Sequence, residues 1–181
     1  MKTQSPMQLN SSIEIPIIGK FGRFLSQTQK RINLLYGGAG SGKSYSLAQW
    51  FIVKCITEQN KSFLITRKTL PSLKLTAYKL FKELLSEYQI KYKENKTDLV
   101  IWINSNEVYF KSLDDPEKIK SADFNYIWGE EATELTFNDY KQLNLRARRK
   151  TDTLNQLFFT FNPIDSFHWL KTKVIDTLAD N

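Results

Sequence analysis

Residues 34–44 read Leu-Leu-Tyr-Gly-Gly-Ala-Gly-Ser-Gly-Lys-Ser: an apolar run, a glycine-rich turn, then Lys43-Ser44 opening a helix-type pattern. Gly37, Gly42, Lys43 and Ser44 fit G-x-x-x-x-G-K-[ST], the Walker A signature. The spacing follows from the chemistry it serves. Glycines at 37, 38, 40 and 42 let backbone N–H groups turn inward onto a polyphosphate with no side chains in the way. The helix that follows points its positive dipole end and free amides at the same anion. Lys43 then reaches the β- and γ-phosphates, and the Ser44 hydroxyl is placed to ligate Mg²⁺. Gly38, Ala39, Gly40, Ser41, Gly42, Lys43, Ser44 and Tyr45 are the candidate nucleotide contacts. A glycine-rich turn with no ligand is the plainer alternative. The full match, set between a strand-type and a helix-type run, favours a nucleoside triphosphate site holding ATP and Mg²⁺.

The rest of the chain alternates strand and helix signals around that loop. Ile13, Ile15, Ile17 and Ile18 about Pro16 predict a short extended segment, which Gly19 and Gly22 break; Phe21, Phe24 and Leu25 read as a short helical turn. Ile32 to Tyr36 is the first strand, and Leu47, Ala48, Phe51, Ile52, Cys55 and Ile56 recur at helical spacing over 43–58. Ser62 to Thr66 is a buried strand with Arg67 and Lys68 at its C-terminal end, the edge where open α/β sheets hold ligands. Pro71 opens a long amphipathic helix running to Tyr88. Leu99 to Ile103 and Val108 to Phe110, with Asn104-Ser105-Asn106 between them, predict a hairpin. Asp114-Asp115-Pro116-Glu117 looks like a helix start. Phe124 to Gly129 is a strand, Thr136 to Asp139 a variant capping box for a helix through about Leu145, and Leu154 to Phe161 a final strand before a last helix from about Ser166. This alternation predicts a mostly parallel sheet between two layers of helices.

Bulk properties narrow the class only a little. At 181 residues the chain is long enough for one domain with its own core. A net charge of +7 favours a polyanionic partner, weakly, because the basic residues are scattered as well as clustered. Cys55 is the only cysteine, which excludes a disulfide framework and a thiolate metal site; on an apolar helix face it reads as a buried, inert thiol. No stretch has the length and apolarity of a membrane span and the N-terminus has no signal-peptide pattern, so the expectation is reducing cytoplasm and no membrane partner.

Hydrolysis needs a carboxylate on the metal shell and a group that orients and deprotonates the attacking water. The apolar strand ending in Trp128-Gly129-Glu130-Glu131 offers both. Glu130 is read as the Walker B acid and metal ligand, and Glu131 as the catalytic base. The period-two geometry of a strand end would point the two side chains apart. Two solvated glutamates closing a strand are the bland alternative. A P-loop kinase would not need the second acid, so the pair favours ATP hydrolysis.

Taken together, the P-loop, Arg67-Lys68, Trp128-Gly129-Glu130-Glu131-Ala132-Thr133-Glu134-Leu135 and Phe161-Asn162-Pro163 with Trp169 just after resemble the phage terminase large subunit. The likeness is to the branch found in phages and prophages of Gram-positive bacteria. It covers nearly the whole chain and keeps the motif order. It implies a P-loop NTPase of the additional-strand, catalytic-glutamate class: α/β, a mostly parallel sheet sandwiched by helices, with a β-hairpin insertion. It also implies a single ATPase motor domain over 1–181, with 1–30 as an N-terminal arm packed on it. The family's C-terminal nuclease domain would be absent from this chain.

The implied activity is Mg²⁺-dependent ATP hydrolysis that moves viral double-stranded DNA into a capsid. Its implied partners are double-stranded DNA, the portal protein, a small terminase subunit, and copies of itself in a ring, with a monomer as the form of the isolated domain. The implied place is the host cytoplasm, at the capsid portal. Lys43, Glu130 and Glu131 carry the chemistry by this likeness, Ser44 and Glu130 the metal, and Thr160 and Asn162 the motif that senses the γ-phosphate. Arg67 is a nucleotide-contact candidate, with Lys68 beside it for nucleotide or DNA. Two departures stand out. Glu130 occupies a position where aspartate is usual. Lys118 and Lys120 occupy the region where many members carry an arginine finger that reaches a neighbouring subunit. The trans-acting candidates are therefore Lys120 and the basic knot of Arg146, Arg148 and Arg149. A helicase or other nucleic-acid translocase, and a nucleotide-gated DNA-binding module without turnover, are the competing readings. His168 and Trp169 read as packing residues, and Gln29 and Tyr36 as ordinary core or surface positions, with adenine contact as the alternative for the latter two.

Overall fold

The computed structural model describes residues 15–16, 19–114, 119 and 121–179. The helix start expected at 114–117 lies outside the described residues except for Asp114, as do Ile13, Ile17, Ile18, Lys118 and Lys120. Seven strands form one sheet: β1 (Ile32–Tyr36), β2 (Ser62–Arg67), β3 (Lys93–Asn95), β4 (Val100–Ile103), β5 (Asn106–Ser112), β6 (Tyr126–Gly129) and β7 (Gln156–Phe161). Their order across the sheet is β1-β7-β6-β2-β5-β4-β3. The strands from β1 to β5 in that order run parallel, and β4 and β3 add antiparallel at one side. An additional strand, β7, thus stands between the P-loop strand and the strand carrying the acids, as the expected class requires.

The hairpin is part of the main sheet. Its second strand, β5, pairs in parallel with the whole length of β2, and β3, a third strand the sequence did not announce, extends it outward. Asn106 belongs to β5 and not to the turn. It is fully buried, donating Nδ2 to the Cys55 and Glu58 carbonyls at 2.7 Å and accepting from the Lys61 amide at 2.7 Å. Those are the orphan carbonyls of the helix Lys43–Thr57, so a hairpin side chain closes that helix.

Strand alternation splits the apolar residues between two faces. Phe63, Ile65, Tyr126, Trp128 and Phe158 meet α1 (Gly19–Gln27) and α2 (Lys43–Thr57) in one core. Leu64, Ile127, Leu157, Phe159 and Phe161 meet Leu143 of a helix, Phe137–Arg146, in the other. Aromatic contacts fix α2 across the middle of the sheet: Phe51 lies 5.6, 6.0 and 5.9 Å from the rings of Phe63, Trp128 and Phe158. That seating holds the loop before α2 over the ends of β6 and β7. Ile15, Phe21 and Leu25 are buried against the same core, and Gln49 Nε2 donates to the Pro16 carbonyl at 3.0 Å. Cys55 is buried and unpaired, and burial pushes its thiol well up.

The predicted long helix over 71–88 is one helical run with a defect. It consists of α3 (Leu70–Leu73), a π turn (Lys74–Tyr78) and α4 (Lys79–Glu87). Thr136 and Asp139 form the expected capping box of the helix Phe137–Arg146, here α5. The last helix starts at Trp169, later than expected, as a second π turn (Lys171–Ile175) running into α6 (Asp176–Ala179). Trp169 packs as predicted, donating Nε1 to the Leu135 carbonyl at 2.7 Å.

Candidate active site

All five parallel strands deliver their C-terminal ends to one edge of the sheet. Along that edge, in spatial order, lie the loop after β1, Asn162 after β7, Glu130-Glu131 after β6, and Arg67-Lys68 at and after the end of β2. Residues far apart in the chain meet here because the order across the sheet is not the order along it.

The glycine loop is tied to the sheet by the Gly37 amide, which donates to the Phe161 carbonyl at 3.3 Å. Gly40 (φ 73°) and Gly42 (φ 82°) take left-handed backbone, which glycine adopts without a Cβ clash. Gly42 is the N-cap of α2 and offers no side-chain cap. Among the described residues no acceptor meets the amides of Lys43, Ser44 or Tyr45, and the Ser44 hydroxyl makes no hydrogen bond. An uncapped helix start beside a glycine-rich loop suits an anionic group. Lys43 is 5% exposed, with Nζ donating to Asn162 Oδ1 at 3.0 Å and lying 3.5 Å from the Gly38 carbonyl. Asn162 Nδ2 lies 3.5 Å from Glu131 Oε2. One amide side chain therefore bridges the P-loop lysine and the second acid.

The two acids part for a reason other than strand alternation. β6 ends at Gly129, and Glu131 itself takes left-handed backbone (φ 48°, ψ 58°), turning the chain sharply between the carboxylates. Glu130 is 5% exposed. Its Oε2 accepts from the Thr76 hydroxyl at 2.5 Å and lies 3.9 Å from Arg67 Nη1. Burial pushes the Glu130 carboxyl up. The Thr76 hydrogen bond, the Arg67 charge and the Ala77 amide oppose that shift, and the Glu131 charge adds to it.

Arg67 is held by Glu134, with Nε at 3.0 Å and Nη2 at 2.7 Å from its two carboxylate oxygens. Its Nη1 donates to Thr76 Oγ1 at 3.1 Å. The Glu134 hydrogen bond raises the Arg67 pKa further, and Arg67 in turn lowers that of Glu134. Lys68 Nζ pairs with Asp139 Oδ2 at 3.0 Å, the residue that closes the capping box. Both cations are engaged with acids of the chain, Arg67 beside the Glu130 loop and Lys68 at the start of α5. Thr160 is also placed differently from the sequence expectation. Its hydroxyl is fully buried, accepting from Trp128 Nε1 at 3.0 Å, and only Asn162 of that motif faces Lys43.

The basic knot lies elsewhere. The Phe124 amide donates to the Arg146 carbonyl at 2.8 Å and the Arg149 amide to the Phe124 carbonyl at 3.4 Å, contacts at the N-terminal end of β6, opposite the P-loop edge. Arg148 pairs with Asp123 at 2.9 Å and Arg149 lies 3.9 Å from Glu107. Lys120 falls outside the described residues.

Thr76 and Glu134 were not singled out from the sequence. Glu134 lies in the acidic stretch after β6, but nothing local ties it to Arg67. Thr76 looks like a polar residue on an amphipathic helix, and a π turn leaves no plain mark in hydrophobic spacing. Oxygen donors suit Mg²⁺, which keeps few protein ligands beside a nucleotide's phosphates. Among the described residues no three His, Cys, Asp or Glu gather as a group that could hold a metal ion. No helix among them is long and apolar enough to cross a membrane.

Comparison with known proteins identifies the family. The PBSX phage terminase large subunit of Bacillus subtilis (strain 168) is 26% identical over 153 residues, spanning 82% of this chain. The chain covers about a third of that relative's length (35%). The large terminase of a thermophilic bacteriophage superposes with a TM-score of 0.74 at 20% identity, over 86% of this chain and 39% of its own. A structure of the same phage protein in complex with ATP-gamma-S superposes with a TM-score of 0.71 at 19% identity, over 86% of this chain and 38% of that one. A family model described as phage terminase large subunit matches residues 29–181, from just before the P-loop strand to the end of the chain, and the chain belongs to that family.

Proposed function

We propose that this chain hydrolyses ATP with Mg²⁺ and that the free energy released moves double-stranded DNA into a capsid. The observation that carries the reading is the run Lys43–Asn162–Glu131 at one sheet edge, with Glu130 beside it at the end of β6. Residues 38–45 cradle the phosphates, with Lys43 on the β- and γ-phosphates. Ser44 and Glu130 would hold the metal, which neutralises phosphate charge when bound. Glu131 accepts a proton from water as the water oxygen bonds to the γ-phosphorus and the bond to the bridging oxygen breaks, leaving ADP and phosphate. Asn162 touches both Lys43 and Glu131, so a change at the γ-phosphate reaches it directly. Left-handed backbone at the reacting residue supports the assignment of Glu131, because such strain concentrates at functional sites.

In this reading residues 1–181 act as one motor domain, with residues before 31 as an arm on it. The partners are duplex DNA, the portal protein, a small terminase subunit and further copies in a ring, in the host cytoplasm at the portal. The position of Arg146, Arg148 and Arg149, opposite the chain's own P-loop, suits residues that serve a neighbour's nucleotide; Lys120 is the other candidate.

Paired variants test the chemistry. Lys43→Ala is expected to abolish ATP-gamma-S binding measured by calorimetry. Glu131→Gln is expected to keep binding and slow phosphate release about 10²–10⁴-fold. Unchanged turnover in Glu131→Gln would leave a nucleotide-gated binding module. Stimulation by single strands with strand separation would point to a helicase.

A further inference from the structure

We propose that Thr76, carried on the π turn of the helical run after β2, is a positioning residue that orients Glu130 for the metal shell. The inference rests on the reading of Glu130 as the acid of that shell. A glutamate side chain turns about several torsions, so its carboxylate needs an external restraint to be presented in one orientation. The restraint is visible. Thr76 Oγ1 stands 2.5 Å from Glu130 Oε2, and Arg67 Nη1 donates to the same hydroxyl oxygen at 3.1 Å. Arg67 cannot turn freely, because Glu134 holds its Nε and Nη2 at 3.0 and 2.7 Å.

The hydroxyl has one proton and two acceptors in range, Glu130 Oε2 and the Ser72 carbonyl at 2.8 Å. A charged carboxylate is the stronger acceptor, so the proton goes to Glu130 while Arg67 occupies a lone pair of Thr76. Thr76 and Arg67 both address Oε2, and the amide of the next residue in the turn, Ala77, adds a backbone hydrogen bond to the same carboxyl group. The π turn gives this arrangement its place. Lys74–Tyr78 is a five-residue widening inside an otherwise α-helical run, and such widenings recur at functional sites. Here its threonine meets the buried Glu130.

The test uses the full chain and calorimetric binding of ATP-gamma-S, with Mg²⁺ and with chelator. Thr76→Val removes the hydroxyl at nearly constant shape. It is expected to bind the nucleotide normally in chelator and to need about 10–100-fold more Mg²⁺ for its metal-dependent gain, the usual cost of losing an outer-shell partner. Thr76→Ser restores the donor and is expected to restore the Mg²⁺ response. Thr76→Ala provides a second removal of the hydroxyl should the valine variant fail to fold by circular dichroism. An unchanged Mg²⁺ response in the hydroxyl-free variant, or no rescue by serine, would overturn the role of Thr76. Glu130→Gln separates the two claims. If it abolishes the Mg²⁺ gain while Thr76→Val does not, the positioning role alone falls. If Glu130→Gln leaves the gain intact, the metal role of Glu130 falls and the positioning role falls with it.

Discussion

At Gly129 a Cβ would stand 2.7 Å from Cδ1 and 2.8 Å from Cε1 of the Phe159 ring, itself fully buried on the neighbouring strand. The ring cannot retreat without opening the core, so Gly129→Ala is expected to lower stability by about 1–3 kcal/mol in urea unfolding. The glycine before the acids therefore leaves room for the ring of its partner on the neighbouring strand, Phe159. Two residues on, Glu131 holds a backbone conformation that costs an L-residue about 1–2 kcal/mol. Glu131→Gly is expected to unfold at slightly higher urea concentration than the unmodified chain while losing turnover, a trade of activity for stability. Both residues could be picked out from the sequence, one as part of a strand end and the other as an acid. The steric reason for the first and the strain at the second could not, since each depends on an atom or torsion set by the fold.

Elements here are joined by a few polar side chains at their ends. Thr136 accepts from the Asp139 amide at 3.1 Å while Asp139 bonds back to the Thr136 amide at 2.8 Å. Thr136→Ala is expected to cost about 0.5–2 kcal/mol in urea unfolding. This box was legible because capping is a matter of residues three apart. The Glu94 clamp was not. Glu94, on the edge strand β3, accepts from the Tyr78 hydroxyl of the π turn and pairs with Lys82 at 2.9 Å. Burial pushes the Glu94 carboxyl up, but hydrogen bonds from Tyr78 and Lys82 and the Lys82 charge outweigh it and hold the group below its ordinary 4.5. A carboxyl lowered in the folded state lends stability above its unfolded pKa and loses it as pH falls through the folded one. The unmodified chain should thus lose stability below pH 4.5 faster than Glu94→Gln does, a difference that urea midpoints on both sides of that pH would show.

For the whole molecule, the distance between the basic knot and the chain's own P-loop edge has a kinetic consequence. If Arg146, Arg148 or Arg149 completes a neighbour's site, ATPase activity per molecule rises with protein concentration, and duplex DNA that gathers copies raises it further. A flat profile with and without DNA would mean that each chain works alone. Stimulation by DNA should also weaken steeply with added salt, because sequence-blind phosphate contacts release counterions.

The P-loop, the strand-end acids, the capping box and the split of apolar residues between two sheet faces were all determined by the sequence alone. Each depends on spacings of a few residues, where backbone geometry leaves little choice. The tertiary structure decided which distant side chains meet. It put β7 between β1 and β6, which brings Asn162 to Lys43, and it folded β5 into the parallel sheet, which buries Asn106 on the end of α2. It also drew Thr160 into the core and set Thr76 and Arg67 against Glu130. Strand order arises from competition among many packings of similar local merit, so no short window of residues encodes it; only the assembled sheet does.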